Sequence, residues 1–239
     1  ANGVTEGSYV ITSTLTFIAT VNAIRYVGAV PIFVDTSLDG LMDLDEVVSL
    51  VRKLRGEGHS VGAILPVDLY GKSTNVDELM RISTNLDVPV LFDSAEALGS
   101  TFDGRKVGSL GDAAFSFNGN KIVTCGGGGV IVTNNDELGQ RAKHLTTTAK
   151  RPHTYEYYHD ELGYNFRMPN LNAALACAQM ENLALFLAKK RTLAKEYAVF
   201  FNQQNVKFRT EMENTRANYW LMCVELENKT ERDLFLKTT

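Results

Sequence analysis

A chain of 239 residues, 44% of them hydrophobic, can bury the core of one large domain or two small ones, which excludes disorder as its main state. Acidic residues outnumber basic ones by 28 to 24, a net charge of −4, so binding nucleic acid through a basic face gets little support. Cys125, Cys177 and Cys223 are too widely spaced for a disulfide framework or a zinc site, and no apolar run reaches the roughly 20 residues of a membrane span, so a soluble, cytoplasmic protein without membrane contact is expected.

Through the first two-thirds, short apolar runs alternate with amphipathic stretches, the pattern of strand and helix units around a mostly parallel sheet. Strands are expected at residues 9–12, 31–34, 63–67, 90–92, 113–116 and 129–133, and helices at 17–27, 43–56 and 75–86. In the second helix Leu44, Val47, Val48, Val51 and Leu54 share one face. Beyond residue 135 come a short helix at 137–145, a polar and aromatic loop TTTAKRPHTYEYYHDELGYNFRMP, and a long amphipathic run from 170 to about 202. Tyr155, Tyr157, Tyr158 and Tyr164 make that loop too apolar for a solvated tether, so it should pack on a partner or close a site. Residues 207–209 and 220–226 read as strands and TERDLFLK as a helix start. The expected division is a large α/β domain over 1–185 and, over 186–239, a connecting helix with the start of a smaller α+β domain. The four histidines, His59, His144, His153 and His159, lack metal-ligand spacing and read as loop or surface residues, so no metal is expected.

The apolar run VPVLFDSAEALGS ends in Asp93, and the carboxyl ends of strands are where parallel α/β sheets hold ligands. An N-cap for a helix over 94–98 explains Asp93 equally well. Glu96, three residues on, suits either a paired acid and base or a capping box. The next strand runs into FSFNGNKIVTCGGGG, placing Ser116 at a strand end, Lys121 in a polar loop, and four glycines, Gly126 to Gly129, before another strand. The order fits neither a P-loop nor a dinucleotide fingerprint, and a tight bend accounts for the glycines. Cys125 beside them reads as a small buried residue. Together, however, Lys121, Asp93 and Ser116 offer an amine, an acid and a phosphate donor, the three groups that pyridoxal 5'-phosphate requires of its site.

The segments TLTFIATVNAIRYVGAVPIFVD, LPVDLYGK, LFDSAEALGS, FSFNGNKIVTCGGGGVIVTN and LGYNFRMPNLNAALACAQMENL resemble, in order, the DegT/StrS family of pyridoxal-phosphate-dependent nucleotide-sugar aminotransferases, whose fold is that of aspartate aminotransferase. The resemblance implies a three-layer α/β sandwich (fold type I) with a mostly parallel central sheet. It makes Lys121 the lysine that anchors the cofactor and moves the proton, and Asp93 the partner of the pyridinium nitrogen. Ala95 would pack against the ring, Phe17 would stack on its other face, and Glu96 would lie near the 3-hydroxyl. Ser116 would bind the phosphate, and Asn165 would reach the phosphate of the neighbouring subunit, which implies a homodimer with shared sites. The implied reaction moves an amino group from an amino acid, glutamate, to a keto sugar nucleotide. TLTFIATVNAI and DSAEALGS point to the subgroup acting on UDP-linked 4-keto-6-deoxy acetamido sugars.

The family's Gly-Thr phosphate turn and the remainder of its C-terminal domain find no counterpart, so the chain is expected to be a piece of something longer. Gly127 stands where many members carry an acidic residue. A non-catalytic relative keeping the fold as an interaction module is the principal competing reading; Lys121, Asp93 and Ser116, all retained, speak against it. A nicotinamide-dependent epimerase or oxidoreductase should show glycines directly after the first strand, where none occurs before Gly28. Dehydratase relatives replace the lysine by histidine, which Lys121 excludes.

Overall fold

Alternation inside three short apolar strands sets the architecture. In the computed structural model, which describes residues 2–238, β1 (Tyr9–Ser13) lies between two parallel neighbours, β2 (Val30–Val34) and β3 (Val61–Leu65). Successive side chains point to opposite faces. Ile11 and Ile64 therefore join a core with Val47, Val51 and Leu54 of α2 (Leu44–Gly56) and Leu79 and Ile82 of α3 (Val76–Leu86), while Val10, Ala63 and Leu65 pack on Ile24 of α1 (Ile18–Tyr26). Helices thus cover both faces, the reason these strands are mostly apolar. Asp43 and Asn75 cap α2 and α3 by accepting the amides of Glu46 and Glu78.

The sheet continues through β4 (Leu91–Asp93), joined to β3 by parallel bridges Ile64↔Val90 and Val67↔Asp93. Two short strands, β5 (Thr101–Phe102) and β6 (Arg105–Lys106), form a hairpin in a separate small sheet. β7 (Asp112–Ser116) pairs in parallel with β4, and β8 (Gly129–Val132) pairs antiparallel with β7. The order is β2-β1-β3-β4-β7-β8, parallel except for the last strand. This is the expected three-layer sandwich.

After β8 come α4 (Asp136–Thr146), capped by Asn135, then the aromatic loop, α5 (Asn170–Glu181) and α6 (Leu183–Gln203). The expected single run from 170 to 202 is two helices meeting at a 60° bend. At the bend Asn182 takes non-helical backbone angles and its side chain bonds back to the Ala178 carbonyl. The loop is fastened to α4 by the ion pair Arg141–Glu161 and the hydrogen-bond contact His144–Asp160, while Arg151 ties off Asp160 within it. Tyr155, Tyr157 and Phe166 stay exposed.

The last segment holds β9 (Lys207–Phe208), β10 (Thr215–Arg216), which pairs with β5, β11 (Val224–Glu225), which pairs with β9, and α7 (Lys229–Thr238). The strand expected over 220–226 is shorter than its sequence suggests. Tyr219 sits at φ +52°, and Asn218 Oδ1 accepts the Trp220 amide, a side-chain-closed turn that keeps Trp220 out of the ladder. Among the described residues no single helix is long and apolar enough to cross a membrane; α5 and α6 reach that length and composition only as the bent pair.

Candidate active site

Register places the first two groups. β4 and β7 pair Asp93 with Ala114 and Phe92 with Ala113, so Asp93, Ala114 and Ser116 point to one face, and Phe92, Ala113 and Phe115 go to the core under α2 and α3. Asp93 and Ser116 therefore lie on the same face at the carboxyl ends of adjacent parallel strands, Ser116 two residues beyond the partner of Asp93. Residues 94–98 form a turn rather than the helix considered as the bland explanation of Asp93. Asp93 Oδ1 accepts the Ala95 amide at 3.2 Å and Oδ2 accepts the Thr20 hydroxyl at 2.6 Å. Ser116 Oγ accepts the Asn118 amide at 3.2 Å, and among the described residues its own proton is given to no acceptor.

Lys121, five residues beyond Ser116, folds back toward the strand ends. Its Nζ lies 3.7 Å from Glu96 Oε1 and 3.9 Å from the centroid of the Trp220 ring, with the side chain 13% exposed. Cation–π attraction and the carboxylate thus hold the amine from two sides. Glu96 is itself clamped, since Oε2 accepts the Tyr70 amide at 2.7 Å. Tyr70 takes φ +57° to aim that amide, a conformation non-glycine residues seldom adopt. Burial raises the Glu96 carboxyl above its ordinary value, against the opposing pull of the Tyr70 amide and Lys121.

Several of these partners escape a sequence reading. Asn218, fully buried, donates to the Glu96 and Leu98 carbonyls at 2.7 and 3.0 Å and accepts from Trp220 N at 2.7 Å. Trp220 Nε1 donates to the Asn120 carbonyl at 2.6 Å. One short segment, 218–220, therefore fastens the Glu96 turn and the Lys121 loop together. Asp68, next to the strand end and fully buried, accepts the Ser94 hydroxyl at 2.6 Å and the Thr74 amide at 2.8 Å. Burial pushes its carboxyl up to about 6. Only Thr20 carries a local signal, one helical turn after Phe17 in TFIAT.

Phe17 is the N-cap residue of α1 and is 70% exposed, on the helix that also carries Thr20. Ala95 follows Asp93 in the turn. Asn165 is not brought to this group: it lies exposed in the aromatic loop, bridged to Thr147. Cys125 is buried, as expected of a small interior residue, and its thiol contacts the Gly127 carbonyl. His144, Asp160 and Glu161 converge within metal-ligand reach, but Arg141 and Arg151 already neutralise the two carboxylates.

The donor set fits pyridoxal 5'-phosphate. Asp93 keeps acceptor capacity beyond its two bonds, Ser116 has a hydroxyl proton to give, and Lys121 is a partly desolvated amine beside Glu96, three residues from Asp93. A three-layer α/β domain carrying these groups at its strand ends is of the class of pyridoxal-phosphate-dependent transferases of fold type I. A model of the DegT/DnrJ/EryC1/StrS aminotransferase family matches residues 1–238, and the chain belongs to that family. It is 36% identical over 238 residues to GDP-perosamine synthase of Escherichia coli O157:H7, covering 98% of this chain and 62% of that protein. Among solved structures it resembles S. venezuelae DesV, with 28% identity, a TM-score of 0.89 and coverage of 99% of this chain and 62% of that one. Helicobacter pylori PseC, an aminotransferase involved in pseudaminic acid biosynthesis, gives 25%, 0.89, 100% and 64%. The chain thus spans less than two-thirds of the length of these relatives.

Proposed function

We propose that this chain is the cofactor-bearing part of an aminotransferase that moves an amino group from an amino acid, glutamate, to a keto sugar nucleotide for glycan biosynthesis. The observation that carries the reading is the convergence of Lys121, Glu96 and Trp220 beside the strand ends that present Asp93 and Ser116. When bound, pyridoxal 5'-phosphate supplies an electron sink for the carbanion formed at the donor's α-carbon. Lys121 Nζ anchors the cofactor and carries the proton released at that carbon. Asp93, fixed by Thr20 and the Ala95 amide, holds the pyridine nitrogen protonated. Ser116 would donate to the phosphate, Phe17 and Ala95 would enclose the ring, and Glu96 would lie near the 3-hydroxyl. Asn165 and the exposed tyrosines serve the neighbouring site of a cytoplasmic homodimer, a use consistent with Asn165 standing apart from this chain's own group. The domains divide at 185, near the start of α6.

The motif resemblance favours a UDP-linked 4-keto-6-deoxy acetamido sugar, whereas the identity with a GDP-perosamine synthase favours a GDP-linked sugar. Offering both nucleotide classes to the protein loaded with amino donor separates the two.

The first test is chemical. Protein mixed with pyridoxal 5'-phosphate and reduced with borohydride should carry one pyridoxyl group on the peptide containing Lys121, absent in Lys121→Ala, and glutamate added before the reduction should prevent the labelling. A folded protein that acquires no label, or acquires it elsewhere, overturns the aminotransferase reading in favour of a non-catalytic relative.

A further inference from the structure

Two Asn-Gly pairs occur in the chain, Asn2–Gly3 and Asn118–Gly119, and the second lies between Ser116 and Lys121. Such a pair is the usual device of turns that need left-handed backbone. Nothing of that kind is required here. Neither Asn118 nor Gly119 takes a positive φ, and a Cβ built on Gly119 meets no atom within 4 Å. Both residues are exposed. Among the described residues the Asn118 side chain makes no hydrogen bond and the Gly119 amide donates to no acceptor. What the turn does use is the main chain of Asn118, whose amide donates to Ser116 Oγ at 3.2 Å and whose carbonyl accepts the Lys121 amide at 3.0 Å. The carbonyl of Asn120, one residue further on, accepts Trp220 Nε1 at 2.6 Å. A free backbone amide, no Cβ beside it to block approach, and an unrestrained side-chain amide in water are the conditions under which asparagine cyclises on its own chain.

We infer that Asn118–Gly119 is a site of spontaneous deamidation, and that the modified turn serves the cofactor site poorly. The Gly119 nitrogen loses its proton to solvent base and attacks the carbonyl carbon of the Asn118 side chain. The bond to the side-chain nitrogen breaks, ammonia leaves and takes up the proton, and a succinimide ring remains. Water then opens the ring at either carbonyl. One opening gives aspartate, and the other gives isoaspartate, in which the main chain runs through the former side chain. Water is consumed and ammonium released, so the step needs no oxidant and no further co-reactant.

Either product puts a carboxylate close to Ser116, the group proposed for the cofactor phosphate, and like charges repel. Isoaspartate does more. It adds an atom to the main chain, and the carbonyl that held the Lys121 amide becomes the free carboxylate. The turn that brings the lysine back toward Glu96 and Trp220 thereby loses its closing bond. The chemistry at 118–119 stands by itself, whereas its effect on the cofactor rests on the aminotransferase reading above.

The test ages purified protein in mildly alkaline buffer, digests it, and follows the peptides of both Asn-Gly pairs by mass for conversion of amide to acid. Isoaspartate is scored with an isoaspartyl methyltransferase. The 118–119 peptide should convert, and faster as the pH is raised. Gly119→Ala, for which the structure leaves room, should slow that conversion several-fold while thermal midpoint and borohydride labelling of Lys121 stay parental. Aged parent protein should bind pyridoxal 5'-phosphate about tenfold more weakly than fresh protein. Asn118→Asp, made without ageing, should reproduce the charge part of that loss at an unchanged thermal midpoint. The chain's single tryptophan, Trp220, should report the isoaspartate turn by a shifted emission that Asn118→Asp lacks. An Asn118 amide still intact when that of Asn2 has gone, unchanged ageing in Gly119→Ala, or full cofactor affinity in both the aged protein and Asn118→Asp, overturns the inference. Fresh parent protein that takes no borohydride label at Lys121 overturns the aminotransferase reading instead, and leaves the mass result at Asn118 as it stands.

Discussion

The hydroxyl of Thr20 donates a 2.6 Å hydrogen bond to Oδ2 of Asp93, joining the first helix to the end of the fourth strand. Thr20 is buried, and a hydrogen bond to a charged acceptor contributes about 1.5–3 kcal/mol. Thr20→Val keeps the shape and the β-branch while removing the donor. It should lower the free energy of unfolding in urea by about 1–3 kcal/mol and weaken retention of pyridoxal 5'-phosphate by at least about tenfold. Undiminished retention in a Thr20→Val protein would show that Asp93 needs no such tether.

Asp68 sets a pH dependence whose sign follows from its burial. Burial raises its carboxyl from the ordinary 3.8 to about 6 in the folded chain, so between those limits the folded state keeps a proton that the unfolded chain has released. Stability from this group is full below about pH 4 and declines as pH rises to about 6; at about 1.4 kcal/mol per pH unit the whole window is worth about 3 kcal/mol. Asp68→Asn keeps an acceptor for the Thr74 amide and a partner for Ser94. It should flatten the urea midpoint between pH 4 and 6 and make the protein more stable than the parent at pH 7. A variant that retains the parental slope would assign the dependence to other carboxyls.

Glu96 separates two roles of one carboxylate. Glu96→Gln keeps an acceptor for the Tyr70 amide and removes only the charge facing Lys121, so stability should stay within about 1 kcal/mol of the parent and borohydride labelling of Lys121 should persist. Glu96→Ala leaves the Tyr70 amide unpaired beside a residue at φ +57° and should cost about 1–3 kcal/mol. Equal losses in the two variants would mean that the ion pair, rather than the clamp on Tyr70, is what the carboxylate contributes.

The strands were legible because both of their faces are buried, which leaves runs such as VPIFV and VGAIL apolar without a helical period. The positions of Asp93 and Ser116 at the ends of two such strands were legible for the same reason, whereas Lys121 lies in the loop beyond them and its role is what the family resemblance implies. Asn218 and Trp220 were not: their partners Glu96, Leu98 and Asn120 lie 100 to 122 residues away, and nothing local marks an asparagine that will staple two turns. The bend at Asn182 was equally hidden, since both flanking segments favour helix and a single asparagine in a long run carries no fixed meaning. Alternation over 220–226 imitated a strand because Tyr219 at φ +52° leaves no trace in a hydrophobic pattern.

Gly71 and Gly127 make opposite predictions for the same substitution. Gly71 sits at φ +88°, and a Cβ there would fall 1.8 Å from Asn218 Oδ1 and 3.1 Å from the Trp220 amide nitrogen. Gly71→Ala therefore imposes a left-handed alanine costing about 1 kcal/mol and also displaces the asparagine that holds Trp220 in place. Total destabilisation should exceed about 2 kcal/mol, and the emission of the single tryptophan should move to the red as its ring leaves the Lys121 loop. At Gly127 a Cβ meets no atom within 4 Å and the backbone angle is ordinary, so Gly127→Ala should change neither stability nor emission. A Gly71→Ala protein with parental stability and parental emission would mean that Asn218 is not what positions Trp220 over Lys121.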